Sequence, residues 1–251
     1  MTEGKRKKEH RKVYEGFQVM KNNKILIIIP AYNEADNILR VVDEIRNDYP
    51  QYDYVVVNDG STDATRKVCK KNDINMLDLP VNLGLAGAVM AGMKYANFYG
   101  YDYAVQIDGD GQHCPEYIAE MLNVMETKEA DIVIGSRFKT ERKPFTSRMI
   151  GSQIITYALW MTTKGKYIGD VTSGMRLFNK KMIKSFGYEV NYRPEPDTLA
   201  FLINHGVKIE EVQVKMRERI AGQSYLNFIS SVRYMLYTLC NIFIFQWVRR
   251  I

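Results

Sequence analysis

The chain has 251 residues, of which 46% are hydrophobic and 25% are charged, and these values exclude disorder, collagen and coiled coil as descriptions of the whole chain. Its three cysteines share no CxxC spacing, which argues against a zinc ribbon or a disulfide scaffold and favours a reducing, cytosolic compartment. The sequence contains no run of about 18 uncharged apolar residues, so we do not expect a standard membrane-spanning helix. The first residues are too charged for a signal peptide.

The formal net charge of +6 is concentrated at the two ends of the chain. Residues 1–24 carry eight Lys or Arg against three Glu, and residues 215–251 carry six against one, whereas the residues between them are net acidic. Nucleic-acid binding usually places basic charge on the folded domain, so the charge pattern disfavours this class. Basic ends that flank an apolar segment suit an anionic membrane surface. For residues 1–23 a flexible, solvated arm without a partner is the alternative.

From Lys24 to Val214 the pattern alternates between strand-like and helix-like runs. The apolar run Ile25–Ile29, closed by Pro30, is typical of a strand that is buried on both faces. Residues 36–47 then place their apolar side chains on one side of a helix. The elements that follow alternate in type. They are a strand at Tyr54–Val57, a helix after Ser61-Thr62-Asp63, a strand at Met76–Leu79, a helix at Gly84–Phe98, a strand at Tyr103–Ile107, a helix at 115–127 and a strand at Ile132–Ile134. This βαβαβ order predicts a mostly parallel sheet with helices on both faces.

After Gly135 the alternation is less regular. The remaining predicted elements are an apolar helix at 147–162, a strand at Met175–Phe178, a helix at 195–204, a strand at Val207–Val214 and a helix at Phe228–Val248. Residues 234–248 are uncharged and would extend roughly 22 Å as a helix, which is short for a hydrocarbon core of about 30 Å. Trp247 and flanking arginines suit an interfacial helix. A buried core helix or a docking surface for a membrane partner are the alternatives.

The sharpest local motif, QIDGDGQH at residues 106–113, follows the fourth predicted strand. Its carboxylates, Asp108 and Asp110, stand at the C-terminal end of a parallel strand, where open α/β sheets bind ligands. The glycines let the backbone turn sharply, and carboxylate oxygens suit Mg²⁺ or Mn²⁺ that also contacts a diphosphate. A calcium-binding EF-hand loop is excluded, because its sixth position needs Gly and holds His113 here. A plain polar turn is the alternative.

The motif NDGSTD at residues 58–63 follows the second predicted strand in the same way. For Asp59 the favoured interpretation is contact with a ribose or a base, whereas Ser61 and Asp63 are expected to cap the next helix. The run that contains Asn82 and Gly84 has only a weak likeness to a glycine-opened helix. Neither a Walker loop nor a GxGxxG motif is present, so binding of ATP or a dinucleotide is disfavoured.

Several of these motifs stand in an order that resembles glycosyltransferase family 2. They are PAYNE at 30–34, NDGSTD at 58–63, NLG at 82–84, DGDGQH at 108–113 and GSR at 135–137. DVTSGMR at 170–176 and RIAGQS at 219–224 resemble the branch that contains the dolichyl- and polyprenyl-phosphate sugar synthases. The resemblance implies a GT-A fold, which is a Rossmann-like α/β fold with a mostly parallel sheet and flanking helices. It also implies a nucleotide-sugar donor and Mg²⁺ or Mn²⁺.

The resemblance covers residues 24–226, which we expect to form the catalytic domain. Residues 1–23 would then be a basic, flexible arm. Residues 227–251 would add an apolar or amphipathic helix that docks on the membrane surface or on a small membrane partner protein. The family pattern usually has bulkier residues at Gly109 and Gly111, and many bacterial members have paired spanning helices that are lacking here.

The resemblance also implies roles for individual residues. Those expected to hold the nucleotide are Pro30, Tyr32, Glu34, Asp59, Gly84 and Asp108. Those expected to hold the metal, in a D-x-D-x-Q pattern, are Asp108, Asp110 and Gln112. Those expected to face phosphate groups of the donor or the acceptor are Arg137, Arg176 and Arg219. Arg219 lies in a positively charged segment that we expect to close over the site and exclude water, with a plain surface loop as the alternative.

The acceptor decides whether the reaction needs a general base. A phosphate monoester with a second pKa near ~6 is already largely ionised at neutral pH, whereas a sugar hydroxyl needs a carboxylate to accept its proton. The candidates for that base are Asp170, Glu195 and Asp197. Glu195-Pro196-Asp197 is also typical of a helix start.

We therefore expect an inverting transferase that moves a monosaccharide from a nucleotide sugar, UDP-linked rather than GDP-linked, to a polyprenyl phosphate of the undecaprenyl type. It would act in the cytoplasm, peripherally attached to the inner face of the cell membrane. One alternative is a transferase that extends a lipid-linked or cell-surface polysaccharide at a sugar hydroxyl. Another is a non-catalytic nucleotide-sugar-binding module of a membrane complex. No nucleic-acid partner is expected, and the sequence leaves the oligomeric state open.

Overall fold

The central strand of the fold, β1 (Ile25–Ala31), is an apolar run in which every residue is buried. Its β-branched side chains favour an extended chain that is covered on both faces. The computed structural model describes residues 23–141, 143–144, 147–188, 195–217 and 228–244.

Seven strands form one sheet in this part of the chain. After β1 they are β2 (Asp53–Asp59), β3 (Met76–Leu79), β4 (Tyr103–Gln106), β5 (Ile132–Ser136), β6 (Arg176–Asn179) and β7 (Ile209–Gln213). The helices are α1 (Ile38–Asp48), α2 (Thr65–Lys71), α3 (Gly84–Phe98), α4 (Ile118–Thr127), α5 (Ser147–Thr162), α6 (Lys180–Tyr188), α7 (Pro196–Asn204) and α8 (Phe228–Phe243). A single 3₁₀ turn, Pro115–Tyr117, leads into α4.

The strand order is β3-β2-β1-β4-β6-β5-β7. β6 runs antiparallel to its neighbours β4 and β5, while the other pairings are parallel. The carboxyl ends of β1, β2, β4 and β5 therefore meet at one edge of the sheet, where β6 begins. Because ligands of open α/β sheets bind at this edge, the topology brings the motifs that follow these strands together.

Two hydrophobic clusters cover the two faces of the sheet. Leu26 and Ile28 of β1 belong to one cluster, together with residues of α3, α5, α6 and α7. Ile27 and Ile29 point to the other, together with residues of α1 and α4. This alternation places successive side chains of β1 on opposite faces. The result is the layered α/β architecture that the sequence predicts.

The C-terminal helix packs on the domain, since α8 contacts both α5 and α7. Ile242 is buried, whereas Leu236 and Tyr237 are exposed. The prediction at Phe228–Val248 therefore has the right start, and its last residues, 245–248, lie outside the described part. No helix of the described residues is both long and apolar enough to cross a membrane.

Candidate active site

A cleft of about 260 Å³ opens at the carboxyl edge of the sheet, between the ends of β1, β2 and β4 and the first turn of α3. Its wall contains every residue expected to hold the nucleotide and both aspartates of the expected metal site: Pro30, Tyr32, Glu34, Asp59, Gly84, Asp108 and Asp110. These residues come from four separate motifs. The fold thus brings together the side chains that the sequence analysis grouped by their position after a strand.

The loops that follow β1 and β2 are joined by hydrogen bonds at one side of the cleft. Asn33, which has a positive φ of 57°, accepts a hydrogen bond from Thr62 N–H at its Oδ1 (2.9 Å). Its own N–H donates to Ser61 Oγ (3.0 Å), and Glu34 N–H donates to Thr65 Oγ1 (2.9 Å). These bonds give the β1 loop a fixed position beside the cleft.

Asp63 adds to these bonds and also accepts the N–H of Thr65, the first residue of α2, whose N-cap position is Ala64. Its Oδ1 accepts the N–H of Thr65 at 2.8 Å, and its Oδ2 accepts the N–H of Ala35 at 3.2 Å. Burial alone would raise the pKa of Asp63, but the hydrogen bonds from Thr65 and Ala35 lower it below its usual value. Ser61, in contrast, bonds to the β1 loop, so the helix-capping role predicted for it is wrong.

Asp59 holds the turn that begins α3. It is 3% exposed, and its Oδ1 accepts the N–H of Leu83 at 2.7 Å. The adjacent Gly60 has a φ of +64°, and a Cβ there would lie 2.6 Å from Asn82 N and 2.7 Å from the carbonyl carbon of Val81. Only glycine therefore permits this close approach of two backbone segments.

A Gly60→Ala variant is expected to lose more unfolding free energy than the about 1–2 kcal/mol that a positive φ alone costs, because backbone atoms of the α3 turn must also move. We expect weaker binding of the nucleotide that the sequence analysis predicts here, since this turn lines the cleft. Gly100→Ala is the matched control, because Gly100 has a φ of +72° and no atom within 4 Å of an added Cβ. Urea unfolding and UDP titration measure both effects. Equal losses in the two variants would contradict the packing argument.

The turn that carries the two cleft aspartates is shaped by its neighbours. Gln106 Nε2 donates to Asp108 Oδ1 at 3.0 Å, and Asp108 N–H donates to His113 Nδ1 at 3.0 Å. Nδ1 of His113 also lies 3.7 Å from Asp108 Oδ2. Asp110 is 5% exposed, and its Oδ1 accepts the N–H of Gln112 at 3.0 Å.

The cleft fits a divalent cation that is completed by ligand oxygens. Asp108 and Asp110 both line it, but no group of three His, Cys, Asp or Glu residues in the described ranges could hold a metal alone. Mg²⁺ is typically bound by one or two carboxylates together with substrate phosphates, and this donor set matches that pattern. Gln112, the third expected ligand, is not part of the cleft wall; its Nε2 donates to Arg217 O at 3.4 Å.

Arg137, just after β5, forms a bidentate ion pair with Asp170. Nε and Nη2 of Arg137 donate to the two carboxylate oxygens at 2.7 and 2.9 Å, and Asp170 is fully buried. Burial alone would raise the pKa of Asp170, but the bonds and charge of Arg137 lower it below its usual value. A carboxylate in this state is a poor proton acceptor. The contacts therefore make Asp170 a positioning partner of Arg137 instead of the general base considered above.

Arg176 lies in the interior, not at a site that faces a phosphate. It is 3% exposed and donates to Ser173 O and Val171 O, both at 2.9 Å. These bonds fix the loop that ends at Gly174, where an added Cβ would lie 2.8 Å from Asp108 Oδ2. The guanidinium thus supports the loop behind Asp108.

A second cavity, of about 630 Å³, lies between the segment after Arg137 and helix α5. Its wall includes Phe138, Lys143, Ile150, Ile154, Tyr157 and Tyr167. Lys143 Nζ donates to Ser152 Oγ and Thr156 Oγ1, both at 3.0 Å, and burial lowers its pKa. The sequence analysis missed this cation. The sequence signal for a polar partner at this position was the pair of hydroxyl residues Ser152 and Thr156, which stand four positions apart on a largely apolar helix.

The other base candidates lie at the start of α7. Asp197 is 2% exposed, and Pro196 is at the first helical position. Glu195 O accepts the N–H groups of Thr198 and Leu199 at 3.1 and 3.3 Å, which is the geometry of a helix start. The last expected phosphate contact, Arg219, lies outside the described residues.

Sequence comparisons relate the chain to known glycosyltransferases. The family model described as "Glycosyl transferase family 2" matches residues 26–187. The chain is 27% identical to a polyprenol monophosphomannose synthase of Mycolicibacterium smegmatis, with 83% of each chain covered. It is 31% identical to a UDP-N-acetylglucosamine–dolichyl-phosphate N-acetylglucosaminyltransferase of Methanococcus voltae, covering 78% of this chain and 86% of that one. An undecaprenyl-phosphate mannosyltransferase of Micrococcus luteus is 29% identical, with 81% and 88% covered.

Solved structures show the same fold. A glucosyl-3-phosphoglycerate synthase of Mycobacterium tuberculosis, crystallised with Mn²⁺, uridine diphosphate and phosphoglyceric acid, superposes with a TM-score of 0.65 at 18% identity. The match covers 88% of this chain and 78% of that chain. This similarity confirms the GT-A fold.

Proposed function

This chain belongs to glycosyltransferase family 2, and from that premise we propose that it transfers a monosaccharide from a UDP-sugar to a polyprenyl phosphate, with inversion at the anomeric carbon. The names of three relatives, which act on polyprenol, dolichyl and undecaprenyl phosphates, support the acceptor class. A relative whose name specifies a UDP-sugar and a structural neighbour that holds uridine diphosphate support the donor.

The observation that carries the proposal is that two different cavities, the cleft with Asp108 and Asp110 and the cavity beside α5, both lie where strands of the sheet end. The first is lined by the carboxylates of Asp108 and Asp110, the ligand type that a metal–diphosphate complex requires. The second cavity is lined by Phe138, the residue after Arg137, and by apolar side chains of α5. Beside Asp108, a Cβ added at Gly174 would lie 2.8 Å from the Oδ2 of that residue, and the preceding Ser173 Oγ donates to Gly135 O, two residues before Arg137, at 2.6 Å. A soluble nucleotide sugar and a lipid phosphate could therefore meet here.

On the donor side, Asp59 and the β1 loop would hold the nucleoside, and Asp108 and Asp110 would hold Mg²⁺ or Mn²⁺. When bound, the ion would neutralise charge on the departing diphosphate. The loop behind Asp108, fixed by Arg176, would keep that carboxylate in place. This arrangement would stabilise the charge that develops as the anomeric C–O bond breaks.

On the acceptor side, Arg137 and Lys143 would bind the phosphate that attacks. Phe138 separates the two cations, with its ring centre 5.1 Å from Arg137 Cζ and 5.7 Å from Lys143 Nζ. Because a phosphate monoester is largely ionised at neutral pH, its oxygen can attack without a general base. The pairing of Asp170 with Arg137 and the burial of Asp197 agree with this, and they disfavour attack by a sugar hydroxyl.

The lipid tail would leave the acceptor cavity along a face where α5 and α8 expose apolar side chains. On α5 these are Ile150, Ile154, Tyr157 and Met161; on α8 they are Leu236, Tyr237 and Phe243, and Ile244 follows directly after the helix. Both sets follow helical spacing, which is typical of helices that lie at a lipid surface. We propose that this face, the α5–α8 face, attaches the enzyme peripherally to the cytoplasmic side of the membrane. A membrane protein partner on the same face is the alternative.

A Tyr157→Asp variant is expected to bind vesicles that contain anionic lipid at least about tenfold more weakly than the wild type, because a charge would enter the apolar interface. Phe98→Asp is the control, since Phe98 is 77% exposed at the far end of α3, away from the α5–α8 face. Vesicle sedimentation measures both. Equal binding by the two variants would contradict attachment through this face.

The proposed reaction is tested by incubating the enzyme and bacterial membranes with a panel of labelled nucleotide sugars and then extracting lipid. We expect label in an acid-labile lipid fraction, in a reaction that needs Mg²⁺ or Mn²⁺. Label in polysaccharide alone would contradict the phosphate acceptor and support the extension of a glycan. Binding of the nucleotide sugar without turnover would contradict the transferase.

A further inference from the structure

The turn that carries Asp110 is held from outside by the segment that follows β7. Arg217 N–H donates to Gln112 O at 2.9 Å, and Gln112 Nε2 donates back to Arg217 O at 3.4 Å. Gln112 N–H in turn donates to Asp110 Oδ1 at 3.0 Å. If the Arg217 backbone moved, Gln112 would move with it, and the Asp110 carboxylate that accepts the Gln112 N–H would lose its position.

The Arg217 backbone is held in place by its own side chain. Nη1 and Nη2 of Arg217 donate to the two carboxylate oxygens of Glu44 at 2.6 and 2.8 Å, a bidentate geometry that fixes both groups. Glu44 is in α1, whose residues Val42 and Ile45 are buried against the sheet. The ion pair thus connects the segment after β7 to a firmly packed helix.

The turn needs such support because of its glycines. Gly109 and Gly111 stand on either side of Asp110, and Gly111 has a φ of +77°. Glycine gives the backbone more conformational freedom than any other residue, and ordering this freedom costs free energy. Bulkier residues would restrict the turn further, so bonds from a neighbouring element add to those that the turn makes within itself.

We propose that the Glu44–Arg217 ion pair positions Gln112, and through it Asp110, for binding of the divalent cation. The inference rests on the proposed function, since it assumes that Asp110 holds the metal. Glu44 and Arg217 act here as positioning residues that touch neither the substrate nor the ion. Loss of the outer support of a metal ligand typically weakens metal binding by about 10- to 100-fold.

The test measures Mn²⁺ binding by electron paramagnetic resonance in the presence of UDP. Glu44→Gln is expected to weaken Mn²⁺ binding about tenfold with little change in the melting temperature, and a high Mn²⁺ concentration should restore turnover. Without metal, the amide hydrogen of Arg217 should exchange faster in this variant, because its bond to Gln112 opens more often. The charge-swapped variant Glu44→Arg/Arg217→Glu should recover most of the Mn²⁺ affinity.

Lys128→Gln is the matched control. The Lys128–Glu210 ion pair has an N–O distance of 3.0 Å and side chains about as exposed as those of the Glu44–Arg217 pair. It lies near the start of β7, away from the turn that carries Asp110. It should leave both Mn²⁺ affinity and exchange at Arg217 unchanged. Unchanged Mn²⁺ affinity in Glu44→Gln, together with lost binding in Asp110→Asn, would overturn the positioning role alone. Normal Mn²⁺ binding in Asp110→Asn would instead contradict the metal site on which the proposed function depends.

Discussion

An Asp110→Asn variant is expected to lose roughly a thousandfold in glycosyl transfer while its urea midpoint stays close to that of the wild type. The carboxylate lines the cleft, and under the proposed function its charge is needed to hold the cation that stabilises the departing diphosphate. An amide of the same shape can still accept the hydrogen bond from Gln112 N–H, so the turn should persist. Single-turnover kinetics with a UDP-sugar and urea unfolding measure the two effects.

Asp73→Asn is the control for this substitution. Asp73 is exposed and has a positive φ of 48°, a conformation that asparagine also tolerates, and it lies away from the cleft. It should change neither activity nor stability. If Asp110→Asn unfolded early but kept normal activity per folded molecule, the turn around Asp110 would be structural and the catalytic interpretation would fail.

An Arg137→Met variant is expected to lose both stability and transfer. It leaves the fully buried carboxylate of Asp170 without its cation, and breaking a buried pair in this way typically costs about 3–5 kcal/mol of unfolding free energy. It also removes one of the two cations proposed to bind the acceptor phosphate. Urea unfolding and the KM for the acceptor measure the two losses.

The double variant Arg137→Met/Asp170→Asn separates these two roles. It removes the buried charge, so most of the lost unfolding free energy should return, whereas transfer should stay low. A double variant that recovered transfer together with stability would show that Arg137 acts only in the fold. The measurement therefore decides whether Arg137 contributes to the chemistry.

The same ion pair predicts a pH dependence of stability. The folded state lowers the pKa of Asp170, so the contribution of the ionised pair is fully present above the ordinary carboxyl value of about 4. It is lost as the pH falls through the lower, folded-state pKa. The stability difference between the wild type and Asp170→Asn should therefore shrink as the pH is lowered below about 4.

The grouping of the expected nucleotide-binding residues in one cleft was predictable because each follows the end of a predicted strand. Asp59 and Asp108 follow buried, apolar strands, and parallel strands bring their carboxyl ends to one edge. A pattern of hydrophobicity together with polar residues after each strand is therefore sufficient to group them. The same reasoning gave the helices on both faces and the start of α8.

The partners of the arginines were not predictable in this way. The family resemblance implied that Arg176 faces a phosphate, but its Nε and Nη2 donate to carbonyl groups of its own loop. The bidentate bond between Arg137 and Asp170 likewise joins residues that are 33 positions apart. Such pairings depend on how the loops pack against each other, and this packing cannot be predicted from the local sequence.

One element of the fold and the direction of another were not predicted, for physical reasons. α6 has only nine residues, and its lysines make a short amphipathic helix look like a surface loop. β6 runs antiparallel between β4 and β5, a direction that is set by the connections on either side and not by its own residues. This reversal matters for function, because it places Gly174 and the loop fixed by Arg176 beside Asp108.

The most direct test of the account is a crystal structure of the protein with Mn²⁺ and UDP, in which anomalous scattering locates the ion. We predict Mn²⁺ bound to carboxylate oxygens of Asp108 and Asp110 and to the diphosphate, with the uridine beside Asp59. A structure in which the ion and the diphosphate are bound elsewhere, with both aspartates making no contact to them, would contradict the proposed chemistry.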